Sequence, residues 1–269
     1  MKEILHTVIN VGIEKPIRLL QITDVHLTYY SESDPPSQIA LLKERYHVFR
    51  KEGDEPPLDP AAYLQEALAL AKELDATLAV TGDVIDLHSA GNVAALQSLL
   101  ADESILFTPG GHEFQRVCVR TMEEEPPYAF TMHERLAACL APRNIDFESR
   151  VIGGVNILMV NNAFDYFSEA TVHRFEEELS RGLPVFVFMH DPVHDKMLCL
   201  TESYHPNVRL TKEDYARSAR MREALLHDNR VKATFAGHWH KNAETVIDGK
   251  RHYVTHGLFA GVCRLIEIR

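Results

Sequence analysis

Long hydrophobic runs are missing from this sequence. No apolar stretch approaches the roughly 18–20 residues of a membrane span, so no membrane partner is expected. The first ten residues set Lys2, Glu3 and His6 in a short apolar pattern, without the apolar core and small-residue cleavage site of a secretory signal. They read as a first strand. Cysteine is scarce too: Cys118, Cys139, Cys199 and Cys263 are scattered, with no C-x-x-C pair. That argues against a structural zinc cluster and against a disulfide framework. Reduced thiols and a cytoplasmic location are the expectation. Basic excess is also absent, the net charge being −11. Long nucleic acid rewards Lys/Arg stripes and is not an expected partner. A small phosphorylated substrate remains compatible, because a bound cation reverses the local field. There is no internal repeat and no low-complexity linker, and nothing specifies an oligomeric state.

What is present is a chain of 269 residues, 45% hydrophobic, able to bury a substantial core. Short apolar runs alternate with helical spacing along most of it, which reads as an α/β layered domain. Buried strands are expected over 17–22, 77–80, 105–108, 155–160, 185–189 and 233–236, with a last strand over 262–268. Leu64, Ala67, Leu68, Ala71 and Leu74 recur at helical spacing behind Asp59 as N-cap and Pro60 at the first position. Further helices are expected over 93–100, from about 169 behind Ser168, and from Thr211, where Asp214 gives a capping signal. Gly153-Gly154 and Asp248-Gly249 read as hairpin turns. Residues 29–60 hold Pro35, Pro36, Pro56 and Pro57 around a helix over 38–49, and residues 114–127 are polar and acidic. Each insertion reads equally well as a lid and as a solvated loop.

One feature recurs. An apolar strand ends and a short loop supplies Asp or His, usually beside Gly: Asp24-Val25-His26, Gly82-Asp83, Gly110-Gly111-His112-Glu113, His190-Asp191 and Gly237-His238-Trp239-His240. Open α/β sheets place ligands beyond the carboxyl ends of their strands, and loops held there by a rigid sheet can converge on one point. Carboxylates with neutral imidazoles suit Mn, Fe, Zn, Co or Ni. Two such ions about 3.5–4 Å apart can share a carboxylate and a hydroxide, and a nearby histidine can protonate a leaving alkoxide.

The ordered series D-x-H, G-D, G-x-H-E, H, G-H-x-H resembles the signature of the calcineurin-like metallophosphoesterases. The match runs from Asp24 to His240, and the strand pattern is similar over nearly the whole chain. The resemblance implies one such domain over residues 1–269, an α-β-β-α sandwich of two mixed sheets with the site at strand C-terminal ends. It implies hydrolysis of a phosphate ester, mono- or diester, by a hydroxide bridging two divalent metal ions. Asp24, His26 and His240 would bind the first metal, Asp83 would bridge, and His190 and His238 would bind the second. His112 would be catalytic, stabilising the transition state or protonating the leaving group.

One position departs from the family pattern, since Gly111 stands where the family has a metal-ligating Asn. Three readings of it compete: a weakened second site with activity retained, an inactive metal-binding homologue, and rescue by another side chain such as Asn161 or Asn162. A nucleotide pyrophosphatase is a further alternative. Glu113 and Asp86 read evenly as orienting residues or helix caps, and Asp191 as a turn residue before Pro192. Trp239 leans toward packing and His256 toward a structural role. His47, His133, His173, His194, His205, His227 and His252 read as surface groups.

Overall fold

The computed structural model describes residues 1–49, 59–116, 128–164, 167–193 and 211–269. Cys118, Cys199, the acidic run at 123–125, His194 and His205 lie outside these residues. One sheet orders β1 (Glu3–Ile9), β11 (Val262–Ile268), β2 (Ile17–Ile22), β3 (Thr77–Thr81) and β4 (Leu106–Thr108). The other orders β5 (Phe147–Ile152), β6 (Val155–Val160), β7 (Val185–Phe188), β8 (Val231–Ala236), β10 (Lys250–Val254) and β9 (Ala243–Ile247). Both sheets are mixed. In the first, β2, β3 and β4 run parallel and β11 runs antiparallel to β2. In the second, β6, β7, β8 and β10 run parallel, with antiparallel β5 and β9 at the edges.

The strands read as unbroken apolar runs because both their faces are buried. Leu19, Ala79 and Ile266 of the first sheet pack against Ile157, Phe186, Phe188, Ala233 and Phe235 of the second, forming a core between the sheets. Leu20, Ile22, Leu78 and Val80 point the other way, under α2 (Pro60–Glu73), α3 (Ala90–Leu100) and α4 (Tyr128–Leu140). Leu158, Val160, Val185 and Val187 lie under α5 (Glu169–Ser180) and α6 (Lys212–His227). The result is the layered α-β-β-α sandwich that the resemblance implied.

Local signals hold where they are chemical. Asp59 accepts from the amides of Ala61 and Ala62, and Ser168 from that of Thr171. Thr211 and Asp214 form a reciprocal capping box. Gly153-Gly154 and Asp248-Gly249 turn with φ positive at both residues, as a two-residue hairpin loop requires. Three features differ from the sequence expectation. Helix α4 was not anticipated, although Met132, Leu136 and Leu140 bury one stripe of it. Strand β5 begins at Phe147, well before the turn. His252 is buried and hydrogen-bonded to Thr234 Oγ1 at 2.8 Å, not a surface group. Cys139 and Cys263 are unpaired. Among the described residues, no helix is long and apolar enough to cross a membrane.

Candidate metal centre

Each motif loop leaves the C-terminal end of a parallel strand, and the loops brace one another. Asp24 N donates to Gly82 O at 3.0 Å, His26 N to Asp83 O at 2.9 Å, and Gly237 N to His190 O at 3.0 Å. Gln21, on the inner face of β2, donates to Thr81 Oγ1 and Ala236 O, both at 3.1 Å, and so ties the two sheets together just beneath the loops. The carboxylate of Glu113 accepts four backbone amides, from Asp83 at 2.9 Å, Val84 at 2.7 Å, Ile85 at 3.2 Å and Gly110 at 2.7 Å. It fixes the loop that presents Asp83 and, through Gly110 N, caps the short turn Gly111–Phe114, so both of its sequence readings hold. Glycine is needed for close approach at two points. A Cβ on Gly110 would stand 2.3 Å from Asp83 Oδ1, and one on Gly237 would stand 1.9 Å from Thr23 Oγ1.

The loops gather three groups of side chains, and within each group the potential ligand atoms lie within 4.8 Å of one another. The first is Asp24, His26 and His240. His240 Nε2 is 3.1 Å from Asp24 Oδ1 and 3.2 Å from His26 Nε2. The second is Asp83, His190 and His238, with His190 Nε2 3.1 Å from Asp83 Oδ2. Asp83 Oδ2 also lies 3.9 Å from His26 Nε2, so its carboxylate stands between the two groups. The third is His26, Asp86 and His112.

Hydrogen bonds on the far side of each ring set the tautomers. His26 Nδ1 faces Asp86 Oδ1 at 3.1 Å, and His190 Nδ1 faces the carbonyl of Thr81 at 2.8 Å. Both rings therefore carry their proton on Nδ1 and turn a bare Nε2 into the centre, as metal-ligating histidines do. His190 Nε2 is buried with no hydrogen-bond partner. A buried lone pair beside a carboxylate oxygen, and two imidazole nitrogens facing each other at 3.2 Å, are what a divalent cation would satisfy. The donor set of carboxylate and imidazole fits such an ion.

The electrostatics agree. Burial pushes the Asp24 carboxyl up, but His240 and His26 outweigh it and hold it well below the usual carboxylate range. Asp83 is likewise held low against burial by His190 and His112. Burial alone would lower the imidazoles, yet the carboxylates raise His26 and His190, and they raise His112 to about 10. Buried carboxylates here demand positive charge, and protons supply it where no cation is bound.

All six residues expected to ligate metal and His112 thus lie at one rim of the molecule. His112 Nδ1 sits 2.7 Å from the Asp86 carbonyl, and its amide donates to Asp83 Oδ1 at 2.9 Å. Asn162 replaces no ligand. Its Oδ1 accepts from His190 N at 3.2 Å and Asp191 N at 3.1 Å, and so shapes the His190 loop. Asn161 bonds Asp146 at 3.1 Å, away from the centre. Asp191 does more than turn the chain, for its Oδ1 lies 3.3 Å from His238 Nδ1. Trp239 is half-buried with Lys241 Nζ 4.7 Å from its ring centroid, so it lies at the surface and not in the core. Sequence reading missed Arg45, which pairs with Asp86. Phe49, at the end of the helix expected over 38–49, stacks on His26 with centroids 4.2 Å apart. The available signal was helical spacing: Gln38, Leu42, Arg45 and Phe49 fall on one stripe.

Carboxylates and imidazoles converging at the strand ends of a two-sheet sandwich define a candidate metal centre, and the family match makes the class that of the metal-dependent phosphoric ester hydrolases. The model of the calcineurin-like phosphoesterase family matches residues 17–242, and the chain belongs to that family. Among solved structures, a dimetal phosphatase from Danio rerio is similar at 13% identity and a TM-score of 0.50, over 90% of this chain and 88% of that one. A phosphopantetheinyl hydrolase from Mycobacterium tuberculosis aligns at 13% identity and TM-score 0.40, over 94% and 90%. A putative 5'-nucleotidase from Staphylococcus aureus aligns at 10% identity and TM-score 0.43, over 90% of this chain and 49% of that one. No curated protein sequence matches the chain.

Proposed function

We propose that the chain hydrolyses small phosphate esters with two divalent cations. Asp24, His26 and His240 would hold one, His190 and His238 would hold the other, and Asp83 would serve both. The observation that carries this reading is the pair of three-residue groups with the Asp83 carboxylate between them. When bound, the cations supply an activated water and neutralise charge on the phosphate oxygens. The chain's own residues do the rest. Glu113 fixes the Asp83 loop, and the Nδ1–H groups of His26 and His190 are spoken for, so only Nε2 of each ring faces inward. His112 is anchored through Nδ1 to the Asp86 carbonyl, which leaves Nε2 to carry a proton to the departing alcohol. A small phosphorylated substrate suits the chain, since a net charge of −11 disfavours long nucleic acid and bound cations would reverse the local field at the centre.

The test is hydrolysis of p-nitrophenyl phosphate and of its bis-ester with Mn²⁺. Turnover of at least one is expected, and His112→Ala should lower kcat by about 10²–10⁴-fold. No turnover with any divalent metal would overturn the reading. A second reading, a homologue that binds metal but turns over weakly, is favoured by Gly111, which offers no side chain beside the second group. Gly111→Asn should raise both the activity and the affinity for the second cation. If wild type and variant bind metal alike and neither turns over, the second reading stands.

A further inference from the structure

Helix α1 (Pro36–Val48) belongs to the insertion between β2 and α2, and it lies against the centre along one stripe. Before it, Asp34 Oδ1 accepts the amide of Ala90 at 2.7 Å. Gln38 Nε2 donates to the carbonyls of His88 at 3.0 Å and Arg116 at 3.2 Å. Leu42 is fully buried. One turn on, Arg45 makes a two-pronged contact with Asp86, Nε to Oδ2 and Nη2 to Oδ1, the latter at 2.8 Å. Just past the helix, the Phe49 ring lies flat on His26, with 7° between the planes. The steps from 38 to 42, 45 and 49 are those of a single helical face.

Asp86 is completely buried, and its Oδ1 is shared. It lies 3.1 Å from His26 Nδ1, 3.3 Å from His112 Nδ1 and 2.8 Å from Arg45 Nη2. A buried carboxylate facing only neutral imidazoles would be several kcal/mol unfavourable. His26 is neutral when it ligates metal through Nε2, and His112 gives up its proton in the reaction, so the countercharge that stays in place beside Asp86 throughout is the Arg45 guanidinium. Among the described residues, Arg45 is the guanidinium in contact with it. The fork also fixes rotation, because both carboxylate oxygens are engaged at once.

We infer that Arg45 is a positioning residue for the first metal group. Its fork holds the Asp86 carboxylate so that Asp86 keeps His26 Nε2 turned into the centre and steadies the His112 ring. Arg45 acts on His26 and His112 through Asp86. This rests on the two-cation reading above.

The experiment measures Mn²⁺ binding by calorimetry on the full chain in two backgrounds. His190→Ala leaves the first group intact, and His240→Ala leaves the second. Arg45→Gln should weaken binding about 10–100-fold in the His190→Ala background, as loss of an orienting partner does. It should change binding less than twofold in the His240→Ala background. Arg45→Lys keeps the charge without the fork, folds with the charge pair retained, and should recover only part of the loss. Equal weakening in both backgrounds, or none in either, would overturn the inference while the two-cation reading stands. Absence of Mn²⁺ binding in the wild-type chain would overturn both.

Discussion

Asp24, His26, Asp83, His238 and His240 all hold φ between 47° and 66°, in the left-handed region that side chains beyond glycine seldom enter. Outside the centre, Asp75 and Asp248 are the other described residues of this kind apart from glycine. Strain of about 1–3 kcal/mol per residue persists where the surroundings over-determine it. Here the crossed loop hydrogen bonds and the Glu113 carboxylate do so. Gly237 shows how tightly. A Cβ there would meet Thr23 Oγ1 at 1.9 Å and Asp24 Oδ2 at 2.4 Å, and both belong to the hydrogen bond that sets Asp24. Gly237→Ala should therefore cost about 1–3 kcal/mol in denaturant unfolding and also remove first-group Mn²⁺ binding. Gly182→Ala is the control. Gly182 has φ +72 with nothing within 4 Å of a built Cβ, so it should cost about 1–2 kcal/mol of strain and leave metal binding unchanged. Metal loss in both variants, or in neither, would sink this account of Gly237. The sequence displayed these glycines and the residue types beside them. It did not display the left-handed backbone, because nothing in an Asp or His side chain announces the conformation that loops from other strands impose.

At the scale of elements, the legible parts were those whose signal is local. Caps at Asp59, Ser168 and Thr211, the two hairpin turns and the doubly buried strands all carry their cause within a few residues. The order of strands does not. β1 lies beside β11, so the two ends of the chain meet in one sheet, and that pairing depends on residues some 260 positions apart in register. Helix α4 was hidden because its apolar stripe is short and follows a polar stretch. A contact fastens it to the residue just before β5: His133 Nε2 lies 2.7 Å from Asp146 Oδ1. The hydrogen bond to Asp146 raises the His133 imidazole. Burial would raise Asp146, but the same bond outweighs it and lowers the carboxyl. The sign follows from linkage. The raised imidazole contributes stability that is full below its unfolded value of about 6.5 and fades as pH climbs through the folded value. The lowered carboxyl contributes above about 3.9 and fades as pH falls through its folded value. The pair stabilises most between these limits. His133→Gln should accordingly lose more stability against wild type at pH 5.5 than at pH 9, by urea unfolding at each pH. A loss that is equal at both would mean the contact is packing against Phe114, whose ring stacks on His133, and not charge.

For the whole molecule, the centre is a seam. Asp24 and Asp83 come from one sheet, while His190, His238 and His240 come from the other, so the Asp83–His190 and Asp24–His240 contacts cross the interface. Cations bound there would cross-link the two halves of the sandwich, adding to the apolar core and to buried hydrogen bonds such as those of Gln21 and Arg264. The raised imidazoles give that link a pH dependence. Without a cation, burial would lower both imidazoles, but the carboxylates around them raise His26 and raise His190 well above the ordinary imidazole value, which favours a second proton on each ring. A cation needs them neutral, so its binding releases protons and strengthens as pH rises. Mn²⁺ at a hundredfold excess over its Kd should add about 2.7 kcal/mol to the unfolding free energy. The rise in Tm should be larger at pH 8 than at pH 6 and should vanish on addition of EDTA. Calorimetric titration in buffers of different ionisation enthalpy measures the protons directly. An enthalpy that does not change with the buffer would mean that no proton leaves. The imidazoles would then be neutral before the cation arrives, and the charge pairs across the seam would not be what holds the empty site together.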